Sequence, residues 1–126
     1  MQDATRHYIN GQWVASIDGR EVTVENPSTE KKIATITLGG VADADAAVAA
    51  ANTAFPLWAA TDPLGRITAL ERLMEVYKSR AEEMAQAIST EMGAPIALAK
   101  TAQVGSGAGH LKNTIRAVKA FAFERP

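Results

Sequence analysis

Two histidines and three glutamates are the side chains of this sequence that invite a catalytic or metal-binding interpretation. His7 and His110 are the only histidines in 126 residues, and the glutamates are Glu82, Glu83 and Glu91. A zinc site needs three or four clustered ligands, and neither histidine has a near neighbour of ligand type. We therefore expect His7 to be a solvated or a strand-edge residue, and His110 to lie on a helix surface or at an interface. Cysteine is absent, which excludes disulfides, thiolate–zinc sites and cysteine nucleophiles within these residues.

Each glutamate also has a structural explanation. Glu82 follows Ser79 by three residues, the spacing of a capping box that satisfies the free amides at a helix start. Glu83 is expected on a solvated helix face. Glu91 falls near a helix end, just before Gly93, where the negative end of the helix dipole disfavours a carboxylate. A surface position is the favoured interpretation of Glu91, and a cation or arginine partner is the alternative.

Three alternating glycines, Gly105, Gly107 and Gly109, suggest a nucleotide-binding loop at first sight. The dinucleotide fingerprint has the spacing G-x-G-x-x-G and must follow a strand and open a helix, so that backbone amides face the pyrophosphate. The spacing here is G-x-G-x-G, and the preceding "IALAKTAQV" has a helical pattern. Close helix packing is the favoured interpretation of these glycines.

The composition limits the possible functions further. Hydrophobic residues make up 47% of the chain, which is enough for a folded core, and 13 basic against 14 acidic residues give a net charge of −1. That balance argues against nucleic-acid binding through a basic surface. The sequence shows neither a signal peptide nor an apolar run of about 18 residues, so we expect no membrane span and predict a cytoplasmic protein.

Turn signals divide the first 40 residues into strands. Asn10-Gly11 separates "HYI" from "QWV", and both residues tolerate the positive φ of a tight hairpin turn. Asp18-Gly19 predicts a second turn. In "VENPSTEKKIATI", residues 24–36, a Pro-Ser-Thr turn joins a Val- and Thr-rich stretch to one that alternates apolar and polar residues, which predicts another hairpin.

The rest of the chain has helical periodicity. Gly40 is predicted to cap a first helix, with Asp43 and Asp45 at the positive end of its dipole. Pro56 is predicted to end that helix, since proline disfavours helical geometry in the residue before it. Trp58 is then expected to pack a loop onto the helix, and Trp13 to be another core or interface anchor.

Two further helices are predicted, followed by one long one. Asp62-Pro63 is predicted to begin a second helix, a break is expected near Ser79, and Gly93 is predicted to end a third helix. Pro95 then begins a helical region that we interpret as one long helix through "GSGAG", with two helices and a joint as the alternative. The predicted apolar stripes of these helices contain Ile67, Leu70, Leu73 or Met74, Tyr77, Ala81, Met84, Ala85, Ile88, Met92, Leu111, Ile115 and Val118.

The order of these motifs resembles the amino-terminal part of the aldehyde dehydrogenase superfamily. The resemblance rests on "YINGQWV", "VENPSTEKKIATI", "DADAAVAAANTAFPLW" and "RITALERLMEVYKSRAEEMAQAISTEMGAP", taken together in this order. It implies an α/β fold with strands at about residues 8–38 and helices at about 41–123. Residues 1–126 would then be an incomplete amino-terminal segment of the family's cofactor-binding domain, in which the hairpins serve architecture.

The resemblance also implies an enzyme activity whose reacting residues lie outside this segment. Family members oxidise aldehydes to carboxylic acids with NAD or NADP, using a cysteine nucleophile, a glutamate base and the asparagine of a Pro-Trp-Asn motif. All three lie downstream of the matched region, so no catalytic or cofactor residue carries over. We expect the segment alone to be inactive and to bind no cofactor, and we expect a truncated chain. The remainder of the enzyme or a homo-oligomer would be its partner.

One further implication concerns a structural monovalent cation. Many family members hold such a cation near the strand before Asn-Pro and an acid in the helix before Gly-x-Pro. The matching positions here are Val24 or Glu25, and Glu91. Ala94 stands where the family more often has lysine, which indicates a subgroup. The alternative to the enzyme interpretation is a stand-alone helical module that self-associates or binds a longer homologue.

Overall fold

A computed structural model describes residues 4–123 of the chain. Strands come first and helices follow, as the sequence predicts, and the fold is α/β. The chain divides into two compact units, Met1–Ala60 and Thr61–Pro126. The first contains two hairpins and one helix, and the second is helical.

The Asn-Gly signal forms the first hairpin. Strands β1 (Arg6–Ile9) and β2 (Gln12–Ala15) pair antiparallel, with Ile9 opposite Gln12. Asn10 and Gly11 between them have φ values of 51° and 75°, the left-handed pair that a type I′ turn requires. The predicted turn is confirmed, because a two-residue hairpin admits few other residue pairs.

A second hairpin contains strands β3 (Arg20–Asn26) and β4 (Lys31–Leu38). The Asn26 side-chain oxygen accepts a hydrogen bond from the Ser28 amide at 2.8 Å, which tightens the predicted turn. The strands shift register between Val24 and Glu25. Ala34, on β4, is buried, and the chain near Ala4 bonds to the other edge of β4.

Asp18-Gly19 does not form a hairpin turn. These residues lie in a bend between β2 and β3, and those two strands do not pair with each other. The Asp18 carboxylate instead accepts a hydrogen bond from the Ala42 amide at 3.2 Å, and the Gly19 amide donates to the Ser16 hydroxyl at 2.7 Å. The Asp18 carboxylate is thus used by the start of a distant helix, and the Gly19 amide by a nearby serine, rather than by a tight turn.

Helix α1 (Val41–Ala59) begins at the predicted Gly40 cap but passes through Pro56. The predicted end at Pro56 is therefore wrong, and Trp58 belongs to the helix rather than to a loop. Proline removes its own amide donor from the helix, yet the Pro56 carbonyl still accepts a hydrogen bond from the Ala60 amide at 3.2 Å. One lost donor near the last turn does not stop the helix.

Helix α2 (Pro63–Ser79) starts as predicted, because the Asp62 carboxylate accepts the Gly65 amide at 2.7 Å. The predicted break lies at Arg80, before α3 (Ala81–Met92). The predicted capping box is wrong, however. Ser79 donates its hydroxyl backward to the Val76 carbonyl at 2.9 Å, so it makes no cap for α3.

Gly93 ends α3 as predicted, with a left-handed φ of 71°. The helical region after Pro95 is continuous, but its α4 (Ile96–Leu98) and α5 (Val104–Ala120) parts are joined by a π-helical segment, Ala99–Gln103. A hydrogen bond from the Val104 amide to the Ala99 carbonyl spans five residues rather than four.

The core of the second unit is small. Ala85, Ala99 and Val104 are buried together, and Tyr77, Ala81 and Ile88 pack around them. Ile67 is also buried. Several other residues of the predicted stripes are more exposed: Leu73 is 50% exposed, Met84 41% and Met92 66%.

Candidate functional site

The two residues expected to hold a cation lie in separate compact units, and each is described by itself. Val24 is half-buried on β3, opposite Ala34 and beside the register shift. Glu91 is exposed in the last turn of α3. Among residues 4–123, no group of three or more histidine, aspartate or glutamate side chains is close enough to hold a metal ion. The cation site stays a prediction.

The most developed polar cluster surrounds Asp43, which is 5% exposed at the start of α1. Its carboxylate accepts hydrogen bonds from the Ser16 hydroxyl at 2.5 Å, the Ile17 amide at 2.8 Å and the Gly40 amide at 3.1 Å. The Ser16 hydroxyl and then the Ile17 amide lower the pKa of Asp43 from 3.8 to about 2. The carboxylate is thus held ionised by three hydrogen-bond donors.

This arrangement is suited to fixing structure rather than transferring protons. A general acid or base needs a pKa near the working pH and a free site for the proton, and Asp43 has neither. The cluster instead ties the chain after β2 to the first turn of α1. The sequence position of Asp43 predicted only an interaction with the helix dipole. Its position three residues after the Gly40 cap is the capping-box position, which would have identified the bond to the Gly40 amide.

His7 lies at a strand edge, as one of its two predicted positions requires, but it is only partly solvated. It is half-buried on β1, and its Nε2 atom is buried without a hydrogen-bond partner among the described residues. It lines a cavity of about 380 Å³ together with Gly39, Gly40 and Asp43. His110, by contrast, is exposed on α5. No motif around His7 indicated this burial, because it results from the approach of β1 to the start of α1.

The three alternating glycines lie inside α5. The π-helical segment precedes them rather than a strand, so they do not form the strand–loop–helix arrangement that binds a pyrophosphate. A Cβ at Gly107 would clash with the Tyr77 ring, whereas Gly105 and Gly109 face open space. The Tyr77 hydroxyl donates to the Val104 carbonyl at 2.9 Å. The packing interpretation therefore fits Gly107.

Two exposed carboxylates of the second unit, Glu82 and Glu83, form surface ion pairs. Glu82 binds Lys100 at 2.8 Å, and this contact lowers the pKa of Glu82. Glu83 binds Arg80 at 2.8 Å, which likewise lowers its pKa. Because these glutamates stay ionised and exposed, they lack the raised pKa that a general acid at neutral pH requires.

A second cavity, of about 400 Å³, lies between α2 and α3. Its walls are largely apolar, and the Arg80–Glu83 ion pair is its charged part. It contains no hydroxyl or imidazole poised as a nucleophile beyond Tyr77, whose hydroxyl is already bonded to the Val104 carbonyl. The full lining is Leu73, Val76, Tyr77, Arg80, Glu83, Met84 and Ala87.

Comparison with known proteins finds a family match over most of the chain. The model of the aldehyde dehydrogenase family matches residues 13–125. The chain is 39% identical to a 3-succinoylsemialdehyde-pyridine dehydrogenase of a Pseudomonas species over 125 residues, which is 98% of this chain and 26% of that protein.

Solved structures agree in fold. An aldehyde dehydrogenase from Bartonella henselae is 42% identical with a TM-score of 0.95, over 98% of this chain and 26% of that one. A cysteine-to-alanine mutant of aldehyde dehydrogenase C from Pseudomonas syringae, complexed with NAD+ and octanal, is 39% identical with a TM-score of 0.94, over 98% and 25%. The chain thus spans about a quarter of the length of these relatives.

Proposed function

Since the chain belongs to the aldehyde dehydrogenase family, we propose that it serves an enzyme that oxidises an aldehyde to a carboxylic acid with NAD or NADP. In this proposal residues 1–126 supply architecture, and the reacting groups belong to the remaining part of a longer polypeptide. The observation that carries the proposal is the family match over residues 13–125, combined with coverage of only 26% of the relatives.

The polar groups of the chain support this division of labour. Aldehyde oxidation through a covalent intermediate needs an activated nucleophile and donors for the oxyanion. The sequence has no cysteine. Asp43 is ionised and accepts three hydrogen bonds, and Glu82 and Glu83 are held in ion pairs. These residues are suited to stabilising hairpins and helices.

The cofactor and partner expectations follow the same division. NAD or NADP is proposed to bind the complete enzyme and not this segment alone, because the glycines of α5 do not form a phosphate loop. The remainder of the enzyme, and a second copy of the complete enzyme, are the proposed partners. Among the described residues no helix is long and apolar enough to cross a bilayer. A cytoplasmic location stays a prediction.

A chimera tests the proposal. This chain would replace the matching quarter of the Bartonella henselae enzyme, and NADH formation from an aldehyde and NAD would be followed by absorbance. We expect turnover from the chimera and none from the 126-residue chain. The control is the same chimera with its downstream cysteine nucleophile changed to alanine. Turnover by the isolated chain, or an inactive chimera, would contradict the proposal.

A further inference from the structure

The turn of the first hairpin contains a dipeptide with a chemistry of its own. Asn10 and Gly11 join β1 to β2, with φ values of 51° and 75°. The Asn10 side chain ends in a carboxamide, and the backbone nitrogen that follows it belongs to a glycine, which has no side chain to hinder an approach to that carboxamide. A Cβ on Gly11 would itself meet no atom within 4 Å. Attack of the Gly11 nitrogen on the Asn10 Cγ atom would close a succinimide ring.

The closed turn prevents that attack. A type I′ turn holds the ψ angle of its first central residue at about 30°. At that angle the next nitrogen lies on the side of the Cα–C bond away from Cβ, so the Gly11 nitrogen does not reach the Asn10 Cγ atom. Ring closure needs a rotation about this bond, which separates Ile9 from Gln12, the pair that closes the hairpin. The reaction therefore requires the hairpin to open.

Two contacts oppose the opening of this small hairpin. β1 and β2 form a two-stranded sheet, and a hairpin of that size is marginally stable by itself. Tyr8 and Trp13 face each other across the strands with ring centroids 5.3 Å apart, which favours the closed form. Ser16 and Ile17, directly after β2, donate hydrogen bonds to the Asp43 carboxylate on α1. Loss of the bonds to Asp43 should raise the open population, since local opening depends on the contacts that an element makes.

We propose that Asn10 is a deamidation site whose rate is set by opening of the first hairpin and is restrained by Asp43. In the open hairpin the Gly11 nitrogen bonds to the Asn10 Cγ atom, and the side-chain nitrogen leaves as ammonia with the proton of the Gly11 amide. Water then adds to one of the two carbonyls of the succinimide and opens the ring. The net reaction consumes one water and releases one ammonia, and it needs no further reactant.

The two hydrolysis products affect the hairpin differently. Water added at the Cγ carbonyl leaves an aspartate at position 10, and Asp-Gly is a preferred pair for a type I′ turn. Water added at the backbone carbonyl leaves an isoaspartate, in which the chain runs through Cβ and Cγ and is one carbon longer. A two-residue turn does not accommodate that carbon while Ile9 stays paired with Gln12. The isoaspartate therefore makes a reversible opening permanent.

Peptide mapping of the Bartonella henselae chimera tests the site. The chimera is incubated at neutral pH in ¹⁸O-labelled water and digested in ordinary water, so that mass spectrometry separates deamidation in the folded protein from deamidation during handling. A synthetic peptide of residues 6–15, "RHYINGQWVA", gives the rate without a fold. We expect deamidation of Asn10 to be at least about ten-fold slower in the chimera than in the peptide. Asn26 is the internal control, because the nitrogen of Pro27 has no hydrogen to lose.

Two variants test the restraint by Asp43. Asp43→Asn removes the charge that Ser16 and Ile17 bind and should speed deamidation of Asn10 by about five-fold or more. Asp45→Asn makes the same change of charge outside this cluster and should alter the rate by less than about two-fold. Backbone hydrogen exchange over residues 6–15 of the parent chimera measures opening independently. Its protection factor should match the peptide-to-chimera ratio of deamidation rates within about three-fold.

The outcomes separate this inference from the proposed function. Deamidation as fast as in the peptide, deamidation faster than hydrogen exchange allows, or none at all would overturn it. Equal rates in Asp43→Asn and the parent chimera would also overturn it. The aspartyl and isoaspartyl peptides separate by chromatography, and only the isoaspartyl form should have lost its protection from exchange. None of these measurements uses turnover, so an inactive chimera with the expected rates supports the inference and counts only against the function.

Discussion

The contact between Gly107 and Tyr77 gives the sharpest prediction of stability. In Gly107→Ala the new Cβ would lie 2.7 Å from the Tyr77 Cζ atom and closer still to its hydroxyl. Crowding of this kind costs about 1–3 kcal/mol, and loss of the bond from Tyr77 to the Val104 carbonyl would cost about 1 kcal/mol more. Alanine recovers about 1 kcal/mol of helix propensity. The expected net loss is about 1–3 kcal/mol.

Gly105→Ala is the matched control, because a Cβ there meets no atom within 4 Å. It should gain about 1 kcal/mol from helix propensity alone. The free energy of unfolding would be measured by urea titration with circular dichroism. The double variant with Tyr77→Phe removes the nearest clashing atom and should lower the cost of Gly107→Ala, a non-additivity expected of neighbours. Equal stabilisation by both glycine replacements would refute the packing role of Gly107.

The remaining predictions concern a buried acid, a helix cap and the expected cation. The pKa of Asp43 is depressed to about 2, so its stabilisation is present above the unfolded value near 3.8 and is lost as the pH falls toward 2. Asp43→Asn should lower the urea midpoint at neutral pH and flatten its pH dependence below pH 4; an unchanged profile would show that another group governs acid unfolding. Asp62→Ala should destabilise by about 1 kcal/mol through loss of the bond to Gly65, and Asp62→Asn should retain most of the stability in the same urea titration. If Glu91 binds a monovalent cation in the chimera, potassium at ten times its Kd should add about 1.4 kcal/mol over choline, measured from thermal unfolding at equal ionic strength. Glu91→Gln should remove this difference and Glu83→Gln should retain it, whereas equal potassium dependence of both would exclude Glu91 as a ligand.

Short-range backbone requirements made several elements predictable from the sequence. Asn10-Gly11 meets the positive φ values of its turn, Asp62 has a side chain of the right length to accept the Gly65 amide, and Gly93 takes the left-handed position that ends α3. Each of these outcomes is decided within about four residues, so a single sequence contains the information.

Features that depend on distant residues were not predictable in this way. The bonds from Ser16 and Ile17 to Asp43 join residues 27 and 26 positions apart. Pro56 is predicted to end α1, but the helix continues to Ala59 because the proline removes only one backbone donor near the last turn. The sequence pattern could indicate that Asp43 lies at a helix start. Its burial and its bonds to Ser16 and Ile17 could be known only from the folded structure.

The family assignment came from the resemblance of the ordered motifs and not from any single local pattern. The order of the motifs indicated the aldehyde dehydrogenase family, and the match over residues 13–125 confirms it. The cation expectation for Val24 and Glu91 was taken from the same resemblance, and its two halves fall in separate compact units. Local structure around either residue therefore provides no test, and the potassium experiment does.

The π-helical segment has a consequence for how this region can change in evolution. Ala99 and Val104 are buried in one cluster although they are five residues apart, and in a regular α-helix that spacing would place them about 140° apart. The wider turn of the π-helical segment accommodates the additional residue, so that both side chains reach the core. A relative lacking one residue between these positions could keep both side chains in the core with an ordinary helix. Sequence alignments should therefore tolerate a one-residue gap here, in the middle of what otherwise reads as an uninterrupted helix.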